Sequence, residues 1–363
     1  MTTAERVKVG VIPAGAMGLA FAQLASERGH LVTVYFHHFE SLDRFERTRK
    51  SERLKGKRFA EDICGTNDIR EAVEGMDVVF MAPPSAKFEE VFEAVEPFFE
   101  DGQDIGIGSK GLIRGTNSTI SQYILGRKPK MVDNLVVMHG PTLAREMVAH
   151  KETGIVFASY NEETAERLQA LFYTDKFRVY TNADVVGVES GGALKNIMAF
   201  GAGAGAAMRI SQNTMALYLT RSLAEMIRLG MALGAQDERT FSGLSGFGDL
   251  IVSSMGKGSR NKQAGRAFAL GQSAESLLSS GTLVEGLHTV KVAAALANER
   301  GIDAPITKAI ERALRGELKI HEGIQYLMSR EPTKEYNGLR SLRFNLDRLR
   351  MTFWHRARAT LSL

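Results

Sequence analysis

A change in pattern near residue 184 divides this chain of 363 residues into two parts. Before that point, short apolar segments alternate with helical sequence. These segments predict strands over Val7–Ile12, Leu31–Phe36, Val78–Ala82, Ile105–Ile107, Leu135–Met138 and Gly154–Ala158. Because strands separated by helices pair in parallel, the first part predicts an α/β fold with a doubly wound, mostly parallel sheet.

After residue 184 the sequence shows almost no strand signal. Helices are predicted over Ala216–Leu233, Val284–Glu299 and Pro305–Leu314. The chain is longer than the roughly 100–200 residues of one domain. We therefore expect an α/β domain at 1–183, an all-helical domain at 184–330 and a C-terminal extension at 331–363.

Composition excludes several classes of protein. Cys64 is the only cysteine, which excludes an internal disulfide and a CxxC zinc site and suits a reducing, cytoplasmic compartment. No pattern of metal ligands is present. The net charge is +4, and residues 331–363 account for it with seven Lys or Arg against three Asp or Glu. The neutral body argues against nucleic-acid binding. The longest apolar run, 197–208, is shorter than the about 20 residues that cross a bilayer.

The turn after the first predicted strand resembles GxGxxG, with Pro13 in place of the first glycine. Gly15 would let the backbone approach a pyrophosphate, and Gly18 would let the next helix pack on the strand. The helix N-terminus would offer free N–H groups to the phosphates. A simple strand–helix turn remains an alternative, but the location of the motif favours a dinucleotide-binding, Rossmann-like domain.

The end of the second predicted strand bears on the type of dinucleotide. An acidic residue there would bind the adenosine ribose of NAD and repel a 2′-phosphate. This chain has Phe36, His37 and His38, and its first acid is Glu40. We therefore favour NADP, or the use of both cofactors, with solvated loop histidines as the alternative.

Lys195 is surrounded by apolar or very small residues in the segment GGALKN. Desolvation there would lower the pKa of the amine and suit it to proton transfer near neutral pH. A lysine that extends from a helix surface is the alternative.

Ser259, Arg260 and Asn261 precede a helical stretch. A hydroxyl, a guanidinium, an amide and helix N–H groups are good donors to a phosphate. An ordinary N-cap followed by a solvated arginine explains the same three residues.

Several longer segments occur in a characteristic order: 177–196 (FRVYTNADVVGVESGGALKN), 219–234 (LTRSLAEMIRLGMALG), 243–250 (GLSGFGDL), 259–261 (SRN) and 284–286 (VEG). Together they resemble the bacterial-type family of NAD(P)-dependent glycerol-3-phosphate dehydrogenases over about residues 7–330. The resemblance implies catalytic roles for Lys195, Lys110 and Asp249. It implies substrate contacts for those three residues and for Gly140, Thr142, Asn196, Ser259, Arg260 and Asn261. It implies cofactor contacts for Gly15, Ala16, Met17, Gly18, His37, Lys110, Ala144, Arg260, Leu283 and Glu285.

The family reaction is the interconversion of dihydroxyacetone phosphate and sn-glycerol 3-phosphate with NAD(P)H. The resemblance implies that Lys195 exchanges the proton of the reacting oxygen. Two alternatives remain: the same chemistry on another small phosphorylated ketone or polyol, and a dinucleotide-sensing protein without catalysis. Three features depart from the family pattern, namely Pro13, His139 where the family usually has serine, and the extension 331–363. His139 motivates the alternative substrate.

The extension carries a stripe of apolar residues at spacings of three and four: Leu339, Leu342, Leu346, Leu349 and Phe353. Arginines surround it, and the only tryptophan, Trp354, lies near its end. One interpretation is a helix that packs on its own body or on a second subunit of a homodimer. The other is a basic amphipathic helix over 339–358 that contacts an anionic membrane surface.

Overall fold

The structure is a computed structural model that describes residues 6–256, 258–279, 284–332 and 334–335. Within these ranges its strands are β1 (Lys8–Ile12), β2 (Leu31–Tyr35), β3 (Ile63–Thr66), β4 (Val78–Met81), β5 (Asp104–Ile107), β6 (Leu135–His139), β7 (Thr153–Ala158) and β8 (Phe177–Asn182). Its α-helices are α1 (Ala16–Glu27), α2 (Phe39–Thr48), α3 (Phe88–Val95), α4 (Ile120–Arg127), α5 (Ala144–Met147), α6 (Glu162–Phe172), α7 (Val185–Ala207), α8 (Gln212–Leu233), α9 (Asp249–Met255), α10 (Arg260–Ala269), α11 (Ala274–Ser279), α12 (Glu285–Glu299), α13 (Pro305–Leu314) and α14 (Glu322–Met328).

The strands form one sheet in the order β3-β2-β1-β4-β5-β6-β7-β8. Every neighbouring pair is parallel except β6 and β7. The order reverses between β1 and β4, and ligands of such sheets bind outside the carboxyl ends of the strands at that point. The predicted doubly wound, mostly parallel sheet is confirmed.

Two strands were absent from the predictions. The sequence of β3 has only four residues and includes Gly65, which is uncommon within strands. The side chains of β8 alternate between buried and exposed at its start, which is the period of two that is typical of a strand. Both strands extend the sheet at its edges and leave the prediction for its centre unchanged.

Alternating side chains of the central strands build two apolar layers. Val9 and Val11 pack on one face with Phe21 of α1, whereas Ile12 packs on the other face with Phe88 and Phe92 of α3. Each face is thus covered by helices, as expected for strands buried on both sides. A core of this kind fixes the strand ends that carry the loops of the site.

Helix α7 is the central helix of the second part of the chain. The Asp184 carboxylate caps it by accepting from the Gly187 N–H at 2.9 Å. Almost all its residues are buried, and its glycines bring neighbouring elements close: a side chain at Gly203 would overlap the Lys262 carbonyl of α10. Lys195 lies in the middle of this helix, ten residues after its first residue.

The described residues between 184 and 332 contain no strand, as predicted. The contacts between residues group the chain into two compact units, Met1–Ser329 and Arg330–Leu363. The domain boundary at 183 stays a prediction. The apolar stripe from Leu339 to Phe353 lies outside the described residues. Within the described part, none of the helices has the length and apolar character to cross a membrane.

Candidate active site

Two lysines and one aspartate from distant parts of the chain meet at the carboxyl edge of the sheet. Lys195 Nζ lies 2.9 Å from Asp249 Oδ1, and Lys110 Nζ lies 2.7 Å from Asp249 Oδ2. Lys110 follows β5, Lys195 comes from α7 and Asp249 begins α9. The three predicted catalytic residues therefore form a single cluster in which one carboxylate is shared by two ammonium groups.

Burial sets the electrostatics of this cluster. Desolvation lowers the pKa of Lys195 to about 8, Lys110 and Arg260 act in the same direction, and Asp249 opposes them. Burial by itself would raise the pKa of Asp249, but the two lysine charges outweigh it and lower this pKa. The desolvation inferred from the apolar neighbours of Lys195 is confirmed. The cluster thus pairs an anionic carboxylate with an amine that can release a proton near neutral pH.

Ser253 is a member of this cluster that the sequence predictions missed. It lies one turn after Asp249 on α9. Its Oγ accepts from Lys195 Nζ at 2.7 Å and donates to Asp249 Oδ1 at 3.3 Å. The spacing of four residues from Asp249 on a helix was the available signal.

The loop after β6 faces Lys110. The Gly140 carbonyl accepts from Lys110 Nζ at 2.9 Å and from the Thr142 N–H at 2.7 Å. A side chain at Gly140 would collide with the Ile155 backbone, which lies 2.9 Å from an ideal Cβ. Ala144 begins α5 directly after this loop. The predicted substrate loop therefore lies against one of the lysines, and its contact with substrate stays a prediction.

The N-terminus of α10 presents hydrogen-bond donors that suit an anion. Ser259 caps the helix by accepting from the Lys262 N–H at 3.3 Å, and the backbone N–H groups of Arg260 and Asn261 precede the first internal hydrogen bond. Arg260 is exposed, and its charge acts on both Glu285 and Lys195. These groups could hold a phosphate.

The side chain of Asn261 differs from the expectation of a phosphate clamp. Its Nδ2 donates to Asn196 Oδ1 at 2.8 Å, and its Oδ1 accepts from the Gly286 N–H at 2.9 Å. The two predicted substrate residues Asn196 and Asn261 thus bind each other and tie α7 and α10 to α12. The backbone of Asn261 remains available to an anion because a helix leaves its first N–H groups unpaired.

The turn between β1 and α1 fits a dinucleotide pyrophosphate. An ideal Cβ at Gly15 would have only the Pro13 carbonyl oxygen near it, at 4.0 Å, so the backbone is open there. A side chain at Gly18 would overlap that same oxygen, so the packing role of Gly18 is confirmed. Ala16 and Met17 begin α1 and present unpaired N–H groups to an anion. The Ile12–Pro13 peptide is cis.

Two more predicted cofactor residues lie along the same edge. His37 follows β2, is exposed, and has its Nδ1 3.4 Å from the Tyr35 hydroxyl. Glu285 begins α12 and is nearly buried, which raises its pKa. Its carboxylate accepts from the Ser85 N–H at 3.1 Å and from the Ser85 hydroxyl. Ser85, in the loop after β4, was not predicted, and Leu283 lies outside the described residues.

The sheet, its open glycine turn and the buried lysine–carboxylate cluster together define a nicotinamide-dependent dehydrogenase with a dinucleotide-binding part and a helical part. Residues 8–165 match the family profile of the N-terminus of NAD-dependent glycerol-3-phosphate dehydrogenase, and residues 184–325 match that of its C-terminus. The chain therefore belongs to the NAD-dependent glycerol-3-phosphate dehydrogenase family.

Individual relatives agree with this assignment. A glycerol-3-phosphate dehydrogenase (NAD(P)+) of Syntrophomonas wolfei is 38% identical over 90% of this chain and 96% of its own length. The one of Geobacter metallireducens is 37% identical over 90% and 98%. The crystal structure of glycerol-3-phosphate dehydrogenase from Coxiella burnetii superposes with a TM-score of 0.82 at 28% identity, over 90% of this chain and 99% of that one. The resemblance predicted from the sequence is confirmed.

Proposed function

We propose that this chain reduces dihydroxyacetone phosphate to sn-glycerol 3-phosphate, and catalyses the reverse reaction, with Lys195, Asp249 and Lys110 at the reacting centre. The observation that carries this proposal is the convergence of both lysines on Asp249, close enough to Arg260 at the N-terminus of α10 for its charge to act on Lys195. The family supplies the reaction and the use of NAD or NADP. The roles of the residues are the proposal.

The nicotinamide dinucleotide, when bound, supplies or accepts the hydride at C2 of the substrate. Lys195 in its ammonium form donates a proton from Nζ to the carbonyl oxygen as negative charge develops there, and the amine takes it back in the reverse direction. Ser253 and Asp249 hold Nζ in place through contacts of 2.7 and 2.9 Å. The positive charge of Lys110 stabilises the same developing oxyanion.

The phosphate end of the substrate gives the orientation. We propose that Arg260, with the backbone N–H groups of the first turn of α10, binds this phosphate. A charged guanidinium and a helix N-terminus both favour a dianion. Binding energy from this remote group would hold C2 at the lysines, which is how positioning lowers the barrier.

The two alternative functions lose their support. His139 motivated another substrate, but its side chain is 0% exposed and its two ring nitrogens face the carbonyl oxygens of Ser109 and Val188. A dinucleotide sensor without catalysis has no need of two buried or half-buried lysines on one carboxylate, since unneeded buried charges cost stability.

The assay that tests the function is the oxidation of NADPH with dihydroxyacetone phosphate. We expect turnover by the wild-type chain and a loss of about 100-fold or more in Lys195→Ala, as removal of a positioned acid produces. Lys176→Ala, which removes a lysine that precedes β8 and whose Nζ bonds Glu152 Oε1 at 2.6 Å, is the control. Near-normal turnover in Lys195→Ala would contradict the assigned role.

We further propose that the chain uses NADPH, either in preference to NADH or together with it. The residues after β2 that could carry a ribose-binding acid are the buried Phe36 and the exposed His37 and His38, none of which is acidic. We expect a Michaelis constant for NADPH that is no higher than that for NADH in parallel assays. A strong preference for NADH would refute this proposal.

Location and assembly are also proposals. The exposed Cys64 thiol suits a reducing compartment, and we propose a cytoplasmic enzyme that acts as a homodimer. For segment 339–358, packing on protein and contact with an anionic membrane surface are the two proposals, and its sequence supports both.

A further inference from the structure

His139 is a buried imidazole at the centre of the site that has no part in the mechanism above. It ends β6, and its ring lies between the turn after β5 and helix α7. Nε2 is 2.8 Å from the Ser109 carbonyl oxygen, and Nδ1 is 3.3 Å from the Val188 carbonyl oxygen. Both ring nitrogens thus face acceptors, although a neutral imidazole has one N–H to donate.

The geometry indicates which nitrogen carries the proton. Burial, followed by the charge of Lys110, lowers the pKa of His139 to about 4, so the ring is neutral at pH 7. The contact of 2.8 Å is a normal length for N–H···O, whereas 3.3 Å is longer than the usual range. Nε2–H therefore donates to the Ser109 carbonyl.

This hydrogen bond acts on the residue next to Lys110. The Ser109 hydroxyl donates to the Pro83 carbonyl at 2.6 Å, so the turn is held on one side by its side chain and on the other by His139. Lys110 Nζ in turn reaches the Gly140 carbonyl at 2.9 Å, and Gly140 follows His139 in the chain. Two hydrogen bonds therefore join the turn after β5 to the loop after β6: one from His139 to the Ser109 carbonyl and one from Lys110 to the Gly140 carbonyl.

The same ring also touches the helix that carries Lys195. A side chain at Gly192 would overlap His139 Nδ1, so the glycine gives the ring its space. Lys195 lies three residues later, on nearly the same face of α7. The ring therefore fills the gap between the two elements from which Lys110 and Lys195 converge on Asp249.

We propose that His139 is a positioning residue, which fixes the turn at Ser109 so that Lys110 reaches Asp249. Because its side chain is fully buried, it acts through Lys110. This inference rests on the proposed function for its kinetic consequence, while its structural consequence can be measured without substrate.

The kinetic test is a double-mutant cycle between His139→Ala and Lys110→Ala. We expect His139→Ala to lower kcat/KM for dihydroxyacetone phosphate by roughly 10- to 100-fold, as small misplacements of catalytic groups do. In the Lys110→Ala background the same change should cost no more than about twofold, because the group it positions is gone. Equal losses in both backgrounds would overturn the proposal.

The structural test is hydrogen exchange of the segment 108–112. We expect faster exchange in His139→Ala and recovery in His139→Gln, whose amide can donate to the same carbonyl. His30→Gln is the control, because His30 is also buried but precedes β2 at the opposite edge of the sheet. If His139→Ala does not fold, His139→Asn replaces it in both tests, since its shorter amide does not reach Ser109.

The proposed function and the positioning role of His139 can fail separately. A wild-type chain that does not turn over dihydroxyacetone phosphate would overturn the proposed function, and exchange at 108–112 would still decide the role of His139. Normal exchange and normal kinetics in His139→Ala would overturn the positioning role and leave the proposed function standing.

Discussion

At the scale of single residues, the environment of Lys195 is the feature with the clearest chemical consequence. A pKa of about 8 keeps the ammonium form in the majority at pH 7, while the amine remains a usable base in the reverse reaction. Asp249 raises this pKa, and burial with two nearby cations lowers it. The pH dependence of the enzyme therefore reports the pKa of Lys195, which these opposing effects set.

We predict that kcat/KM for dihydroxyacetone phosphate falls as the pH rises through about 8, because Lys195 loses its proton. The rate of glycerol 3-phosphate oxidation should rise over the same range. In Asp249→Asn the falling limb should move to lower pH, because the charge that stabilises the ammonium form is removed. Ser253→Ala retains that charge and serves as the control. Profiles from pH 6 to 10 measure these shifts, and a limb that moves to higher pH in Asp249→Asn would contradict the assignment.

At the scale of elements, the crossing of α7 and α10 sets the distance between the lysine cluster and the N-terminus of α10. Gly203 of α7 faces the Lys262 carbonyl, and Gly265 of α10 faces the Phe200 carbonyl. Because each glycine lies against the backbone of the other helix, neither contact can relax by a change of side-chain rotamer. The two glycines thus allow Arg260 and Lys195 to lie in one site.

We predict that Gly265→Ala lowers the free energy of unfolding by about 1–3 kcal/mol, as overpacking in a close contact does. It should also raise the Michaelis constant for dihydroxyacetone phosphate, since α10 carries Arg260. Gly126→Ala in α4 is the matched control: an added Cβ meets no atom within 4 Å there, and alanine favours a helix. Urea denaturation and steady-state kinetics measure both effects. Wild-type stability of Gly265→Ala would show that the crossing is looser than the structure indicates.

At the scale of the whole molecule, the charge is concentrated in the C-terminal extension. The body up to residue 330 is neutral, and the net charge of +4 belongs to residues 331–363. Such a segment is attracted to anionic surfaces, and its apolar stripe could equally be buried against protein. Removal of the segment would abolish vesicle binding under the membrane proposal and would remove a packing contact under the other.

We predict that a chain truncated after residue 330 keeps its turnover, because each residue of the proposed cluster lies before that point. Co-sedimentation with vesicles that contain anionic lipid tests the membrane proposal: the full chain should pellet and the truncated chain should stay in the supernatant. Equal recovery of both chains in the supernatant would refute membrane contact. Sedimentation velocity of the same two chains measures whether the extension supports a dimer.

The residues of the site show what local sequence can and cannot predict. The burial of Lys195 followed from its apolar neighbours, and the openness at Gly15 followed from its place after the first strand. Ser85 was not predicted because its partner Glu285 lies 200 residues away in the chain, and the contact of Ser253 with Lys195 spans 58 residues. The amide of Asn261 was assigned to a phosphate, although Asn196 and Gly286 bind it.

The sequence by itself determined six of the eight described strands, the parallel centre of the sheet and the family, because these depend on periodicity and on long segments of local sequence. Only the tertiary structure decided which groups share a hydrogen bond. The carboxylate of Asp249 lies 139 residues from Lys110 and 54 from Lys195, and nothing in the local pattern of either lysine specifies it. Such pairings arise where three elements pack together, so their geometry depends on the whole core rather than on any one segment.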